Sequence, residues 1–570
     1  MPRLRSIRVV LRKLVVIGVA QAAVVASAHA APTPLMPGVT FDRQVQFTPH
    51  GPVGFTVVTA PPPGAAGGLY SLGPVLAAGT IRGARERLTD LEREVSGSST
   101  AVGINGDFSA GADTHPSGIV VSGGAYLHGP SPARSSIAID SGGALHVARL
   151  SFAGTWKGTG QRRPVDGINQ APRGSQTVLF TPAWGGATPA AANGAAVVLE
   201  QFPAAAPNTD LTATVASTAT GPVAIPQDGA VLLASGADAA KLQAEAPEGT
   251  SVTVRLILPP SLGTVTGALG GGPLLVRGGR AVFRTSENFD ASKLATRDAR
   301  AAVGQLADGR VILVAVDGGQ PGYSTGMTSY DLAQTMTRLG ARTAVGLAFG
   351  SAVTAAFDGQ LLSRPADRSG APIKEGLLLQ YYGVYAPPPS IPVVDDANRT
   401  QAEQLSYKVV RPSSVTASVV GPDGVEHPVD SGSRDPGVYR FTWNTYDTEG
   451  TWHWLVKATD DQGRASSSDQ TFRYDLTLSK LVVPKSPRDG VQAAFTLTRS
   501  ASVTLSIETA LGTVVSSNAP SSLDAGPHAL TWDGTTAAGA AAPAGSYVAR
   551  VTAASSVGTV DVSAPFTLRR

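Results

Sequence analysis

The sequence predicts a strand-rich α+β domain followed by two all-β sandwiches. Three observations predict it. Short β-like runs alternate with Gly/Pro/Asn/Asp turns from Ala31 to about Ala386, with few helical patterns between them. A proline-rich stretch, Ala386-Pro-Pro-Pro389-Ser-Ile-Pro392, then interrupts the chain, and such a run is extended and continues no helix. Beyond it, two stretches of about 90 residues repeat each other. A length of 570 residues exceeds one ordinary core and accommodates three domains.

The first thirty residues stand apart. Arg3, Arg5, Arg8, Arg12 and Lys13 precede an apolar run from Leu14 to about Ala26, and Ala28-His29-Ala30 follows, with no acidic residue. A basic segment, a short apolar segment and an A-x-A step read as a cleaved export signal, residues 1–30. The run is shorter than the ~20 residues a membrane-spanning helix needs. The whole chain has 45 basic and 42 acidic residues; removing those five leaves 40 against 42. With no Lys/Arg cluster in the remainder, nucleic acid is not an expected partner. No later apolar run is long enough to span a bilayer, so stable membrane insertion is not expected either. The absence of cysteine excludes disulfides, zinc–thiolate sites and cysteine nucleophiles.

Within residues 31–386, Val53–Val58, Ser135–Asp140, Val252–Leu258 and Val311–Val316 read as strands. Two helices are legible. Ala84–Val95 sets Leu88, Leu91 and Val95 on one face. Thr328–Leu339 does the same with Leu332, Met336 and Leu339; it starts in a capping-box pattern, Thr328 with Asp331, and stops before Gly340. Asp358-Gly359 reads as a hairpin turn.

Residues 387–393 read as a linker, 394–475 and 476–570 as the two sandwiches. Leu405–Arg411 aligns with Ala493–Arg499, Ser414–Thr416 with Ser502–Thr504 and Gly424 with Gly512 at an offset of 88; Gly437 and Trp443 align with Gly526 and Trp532 at 89. About seven short alternating strands in ~90 residues suit an immunoglobulin-like sandwich. Lacking an inter-sheet disulfide, Trp443 and Trp532 are candidate core fillers. Gly526–Gly534 with Pro543-Ala-Gly545-Ser-Tyr547 resembles the Ig-like module of the flagellar hook-capping protein; Trp452 takes the place of Tyr547 in the first unit. An exposed Trp452/Trp454 pair would stack on sugar, whereas the alternation in Thr451–Val456 fits a strand with at least one buried tryptophan.

Across Pro37–Tyr385 a series of segments, in order, resembles the phosphodiester glycosidase family. These are Ile104-Asn105-Gly106-Asp107-Phe108, Pro116-Ser-Gly118 with Gly123-Gly124, Gly167-Ile-Asn169, Leu179–Gly185, Gly270–Pro273, Ala302–Gln305, Val316-Asp317-Gly318 and Gly326-Met-Thr328 with Leu332-Ala333. The resemblance implies hydrolysis of a sugar 1-phosphodiester in an extracellular or envelope glycan. It also exposes departures. In Gly346–Ala355 the family's aspartate position is Ala348 and its serine position Ala352, and the arginine of its V-D-G-R-Q segment is Gly319. Cleavage of a glycosyl phosphate calls for a carboxylate at the sugar and an arginine fork at the phosphate; alanine and glycine supply neither.

Three readings stay open: a hydrolase whose missing groups come from Asp107 or Asp317, a non-catalytic glycan-binding protein, and a structural surface protein with the sandwiches as spacers. The candidate catalytic residues are Asp317, Asp107 and His115; the candidate substrate-binding residues are Asn105, Gly106, Asn169, Thr354 and Gly350. No cofactor and no metal is expected. Gly270–Pro273 has no helix pattern behind it for a phosphate loop, and Asp395-Asp396-Ala-Asn398 lacks the glycine and later acidic ligand of a calcium loop.

Overall fold

The computed structural model describes residues 32–569 apart from 65, 111–114, 132, 283–286 and 511, so the predicted export signal lies outside the described residues. Up to Ala386 the chain forms a four-layer stack flanked by a second sheet pair. One eight-stranded antiparallel sheet runs Thr33–Met36, Val39–Thr48, Gly51–Ala60, Val311–Val316, Arg300–Leu306, Ala341–Gly346, Leu274–Arg277, Arg280–Ala281. Its inner face, with Val58, Val303, Leu313 and Val345, packs on Val102, Ile104, Leu377 and Leu379 of a five-stranded sheet centred on Thr100–Asn105 and Glu375–Tyr381.

A helix covers each outer face. Leu332 and Met336 of Ser329–Arg338 pack on Val314 and Val316, and Leu88 and Leu91 of Leu88–Val95 pack on Ala101 and Leu378. The capping box at Thr328 and Asp331 is formed in both directions, and Gly340 follows the helix at φ +90°. The other helix begins at Leu88 rather than Ala84, because Glu86 is held extended in a β-bridge to Ile373. Beside this stack, a five-stranded sheet containing Ser136–Asp140 and Val265–Gly270 and a second eight-stranded sheet enclose another core, which includes Trp156, Leu199 and Leu242.

The repeat folds twice in the same register. Glu403–Val409 pairs Gly437–Trp443 with Val409 opposite Gly437; Val491–Leu497 pairs Gly526–Trp532 with Leu497 opposite Gly526. Trp452 lies opposite Phe472 as Tyr547 lies opposite Phe566. The offset grows from 88 to 89 across one segment. That segment is a single strand, Glu426–Arg434, in the first unit and two, Val514–Ser517 and Ser521–Leu523, in the second. Trp532 is buried, while Trp443 is half-buried against its core. Trp452 and Trp454 are both 0 % exposed and form the centre of the first sandwich, which overturns the sugar-stacking reading. The proline-rich stretch is tied in: Glu403 accepts from the backbone of Ser390 and Ile391, and Val393–Val394 adds a short parallel strand to Ala465–Tyr474. Among the described residues no helix is long and apolar enough to cross a membrane, a statement that does not bear on β-barrels.

Candidate functional site

The strand ends Gly346, Val316 and Asn105 converge on one end of the stack, and the loop 347–354 lies between them. On one side of that loop sits Asp107. Thr100–Asn105 is buried on every residue, so the chain leaves the sheet directly into the interior and carries Asp107 with it. The side chain of Asp107 is 1 % exposed and accepts two hydrogen bonds from Arg134, at 3.1 and 3.0 Å. Arg134 in turn lies over the rings of Phe108 and Phe289.

Two motif glycines are explained by this pair. A Cβ at Gly118 would sit 2.5 Å from Asp107 Oδ2 and one at Gly270 2.1 Å away, so both segments close over the carboxylate only as glycine. Burial pushes the Asp107 carboxyl up to about 6, with Arg134 opposing the shift.

Glu375 lies behind it and was not singled out from the sequence. It is 0 % exposed, and neither carboxyl oxygen has a hydrogen-bond partner. Burial, reinforced by the charge of Asp107, holds its pKa well above the usual carboxylate range. A buried carboxyl of this kind keeps its proton while the unfolded chain releases it above about pH 4.5. Its contribution to stability is therefore fully present below that pH and is lost as pH rises toward the folded value. Glu375→Gln removes the titration. We expect equal melting temperatures for the two proteins at pH 4 and a melting temperature for the variant at least ~3 °C higher at pH 8, measured by calorimetry.

Asn105 is fully buried. Its Nδ2 donates to the carbonyl of Ala348 at 2.9 Å, and its Oδ1 accepts from the Thr354 backbone at 3.2 Å. The Gly106 carbonyl accepts from the Ala348 N–H at 3.0 Å. These two residues thus fix both ends of the loop that carries the family's aspartate position. Ala348 is 4 % exposed. Thr354 is buried with its hydroxyl unpartnered, and Gly350 takes φ +77° beside Asp298.

His115 is half-buried, its ring 5.6 Å from that of His128, with Nδ1 on the Pro116 carbonyl. His128 is buried, and its acidity is pushed down to about 4 by that burial, which keeps it neutral. Asn169, at φ +47°, uses both its amide hydrogens, on Leu127 and Thr181, and accepts from the Thr181 backbone. It staples two segments and has no amide hydrogen left for a ligand.

On the other side of the loop, Asp317 follows strand Val311–Val316 as expected, but it turns inward with its side chain 2 % exposed. It accepts from Arg43 at 2.9 Å, Tyr323 at 3.0 Å and the Arg364 backbone at 2.8 Å. Burial raises its pKa, making it a weaker acid, and these donors oppose the rise. Arg134, Glu375, Arg43, Tyr323 and Arg364 were not legible as site residues. Each stands at a strand end, in a strand or in a turn with no spacing that separates it from an ordinary charged or turn residue.

Comparison with known proteins gives two family matches and several solved structures. Residues 202–380 match the phosphodiester glycosidase family, and residues 486–556 match the FlgD Ig-like domain. The first match contains Gly270, Asp317, Gly319, Ala348 and Glu375; the segments around Asp107 and Asn169 precede it. A hypothetical protein from Synechocystis, of known structure, is 26 % identical at a TM-score of 0.50, over 61 % of this chain. The chain spans 64 % of that protein's length. The catalytic domain of zebrafish N-acetylglucosamine-1-phosphodiester alpha-N-acetylglucosaminidase, auto-inhibited by its pro-peptide, is 14 % identical at a TM-score of 0.32, over 62 % of this chain and 85 % of that one. No curated protein matches the chain.

Proposed function

We propose that residues 31–386 bind a sugar 1-phosphodiester of an extracellular or envelope glycan and do not hydrolyse it. One observation carries this reading: position 348 is a buried alanine, and both carboxylates that could replace the family's aspartate, Asp107 and Asp317, face inward and already hold an arginine. A nucleophile or general acid must come within hydrogen-bond reach of the anomeric carbon or the departing oxygen. Side chains 1 % and 2 % exposed do not. The phosphodiester glycosidase match supports the ligand class. The basic, apolar and A-x-A order of residues 1–30 supports export. The two sandwiches then hold the binding domain away from an attachment point.

A second reading, slow hydrolysis by Asp107 with Glu375 as proton donor, is favoured by the charge interaction of these two buried carboxyls, each of whose pKa burial raises. An assay of the full chain on a panel of alkyl glycosyl 1-phosphodiesters separates the two. The first reading expects binding without turnover, and turnover to appear in Ala348→Asp/Gly319→Arg. Gly319 leaves open space for the arginine, although its φ of +66° costs a side chain about 1 kcal/mol. Turnover by the unmodified chain that disappears in Asp107→Asn would establish the second reading and overturn the first.

A further inference from the structure

We infer that Arg43 and Arg364, gathered around Tyr323, form the anion subsite of this domain and take over the task of the arginine missing at Gly319. The inference rests on the phosphodiester-binding reading above and adds to it the residues that hold the phosphate.

Position 319 itself has nothing to offer an anion but backbone. It is exposed, and a Cβ built there meets no atom within 4 Å, so the space the side chain would fill is open. The next residue, Gln320, donates its side-chain amide to the Arg364 carbonyl at 2.7 Å, which fixes Arg364 beside that opening. The Arg364 guanidinium carbon lies 4.1 Å from the centre of the Tyr323 ring, and that of Arg43 lies 5.8 Å from the same centre. One ring thus keeps the two cations within about 10 Å of each other.

Tyr323 is itself placed by a glycine. A Cβ at Gly54 would stand 3.2 Å from the tyrosine hydroxyl, and Gly54 pairs with Val45 on the strand that carries Arg43. Asp317 then acts as the anchor under the cluster, accepting from Arg43, from Tyr323 and from the Arg364 backbone.

The charge is unbalanced in the direction an anion requires. Among the described residues Asp317 forms an ion pair with Arg43, and no carboxylate forms one with the Arg364 guanidinium. Arg43 is 36 % exposed and gives only part of its donor set to Asp317, Tyr323 and the Leu362 carbonyl. No hydrogen bond from the Arg364 guanidinium to a described residue is formed; it lies over the face of Tyr323 and its charge acts on Asp317 from a distance. A guanidinium held over a ring with its donors unused can make a planar, two-bond grip on a phosphate oxygen pair.

Isothermal titration of the full chain tests this. The probes are the 1-phosphates and 1-(methyl phosphodiesters) of glucose, galactose, mannose and N-acetylglucosamine, with the matching methyl glycosides. We expect at least one phosphorylated probe to bind ten-fold or more tightly than its methyl glycoside. Arg364→Ala and Arg43→Gln should each lose that margin by ten-fold or more and leave methyl glycoside binding unchanged. Arg364→Ala keeps the backbone N–H on which Asp317 depends, and Arg43→Gln keeps a donor for it. Melting curves confirm that both variants fold. Adding Gly319→Arg to Arg43→Gln/Arg364→Ala should restore part of the phosphate margin, which a merely structural role for Arg43 and Arg364 would not produce. Unchanged preference for the phosphorylated probe in both single variants would overturn this inference and leave the domain reading standing. Equal affinity of the unmodified chain for phosphorylated and methyl probes, or no binding of any, would overturn both.

Discussion

Truncating Trp454 to alanine is expected to destabilise the first sandwich by about 3–5 kcal/mol. The side chain is 0 % exposed, packs against Phe441 at 6.1 Å between ring centres, and donates its indole N–H to the Ser406 carbonyl at 3.0 Å. Removing it deletes a large apolar volume and also leaves that carbonyl without its side-chain donor. A sandwich of this size has a total stability of about 5–15 kcal/mol, so the loss is a large share of it. The measurement is limited proteolysis with melting curves: cleavage between residues 387 and 475 should rise sharply while the preceding domain stays resistant. Trp454→Phe keeps most of the volume and should lose only about 1–2 kcal/mol. A sugar-binding tryptophan would behave in the opposite way, losing glycan affinity while stability held. The absence of any stability change in the alanine variant would return Trp454 to the surface.

The sandwiches were the most legible part of the chain because a repeat carries its own register. Leu405–Arg411 and Ala493–Arg499 aligned at 88, and the structure pairs each with its own glycine-started partner strand in the same way. What was not legible was depth. Period-two alternation places Trp443, Trp452 and Trp454 on strands, but burial depends on how the second sheet covers each face. It covers Trp452 and Trp454 completely and Trp443 only in part. Helix ends showed the same division. Thr328 and Asp331 cap locally and were readable from four residues. The start at Leu88 depends on a bridge between Glu86 and Ile373, nearly three hundred residues apart.

The candidate site was legible through its glycines and through Asp107 and Asp317, and not through the groups that surround those two carboxylates. Gly118 and Gly270 stood in the family-like segments, and the structure explains them as the two walls that close on Asp107. Asn105 and Gly106 were expected beside the sugar; they hold the 347–354 loop from below. Arg134, which bears on the state of Asp107, lies just before a buried strand. Nothing local distinguishes it from any arginine at the mouth of a turn. The same holds for Arg43 and Arg364, which meet at Tyr323 from segments more than three hundred residues apart.

Replacing Arg134 by methionine should cost about 3–5 kcal/mol near pH 7.5, the usual result of removing one partner from a buried ion pair. At that pH Asp107, whose acidity lies at about 6, is ionised and paired through two hydrogen bonds; without the guanidinium it is a charge with 1 % exposure and no counter-ion. The native state escapes by taking up a proton, since loss of Arg134 removes the group that opposed the upward shift. A carboxyl whose folded value is raised retains its full stability contribution below its unfolded value near 3.8 and loses it as pH climbs toward the folded one. The deficit of Arg134→Met should therefore be largest above pH 7 and shrink as pH falls toward 4, where the unfolded chain also begins to hold the proton. Asp107→Asn/Arg134→Met leaves no charge to strand and should recover most of the loss, so the double-mutant cycle reads a coupling of about 2 kcal/mol or more. Calorimetry across pH 4–8 on the unmodified chain, Asp107→Asn, Arg134→Met and the double variant measures all of this. A deficit independent of pH, carried over unchanged into the double variant, would mean that Arg134 matters only as packing between Phe108 and Phe289.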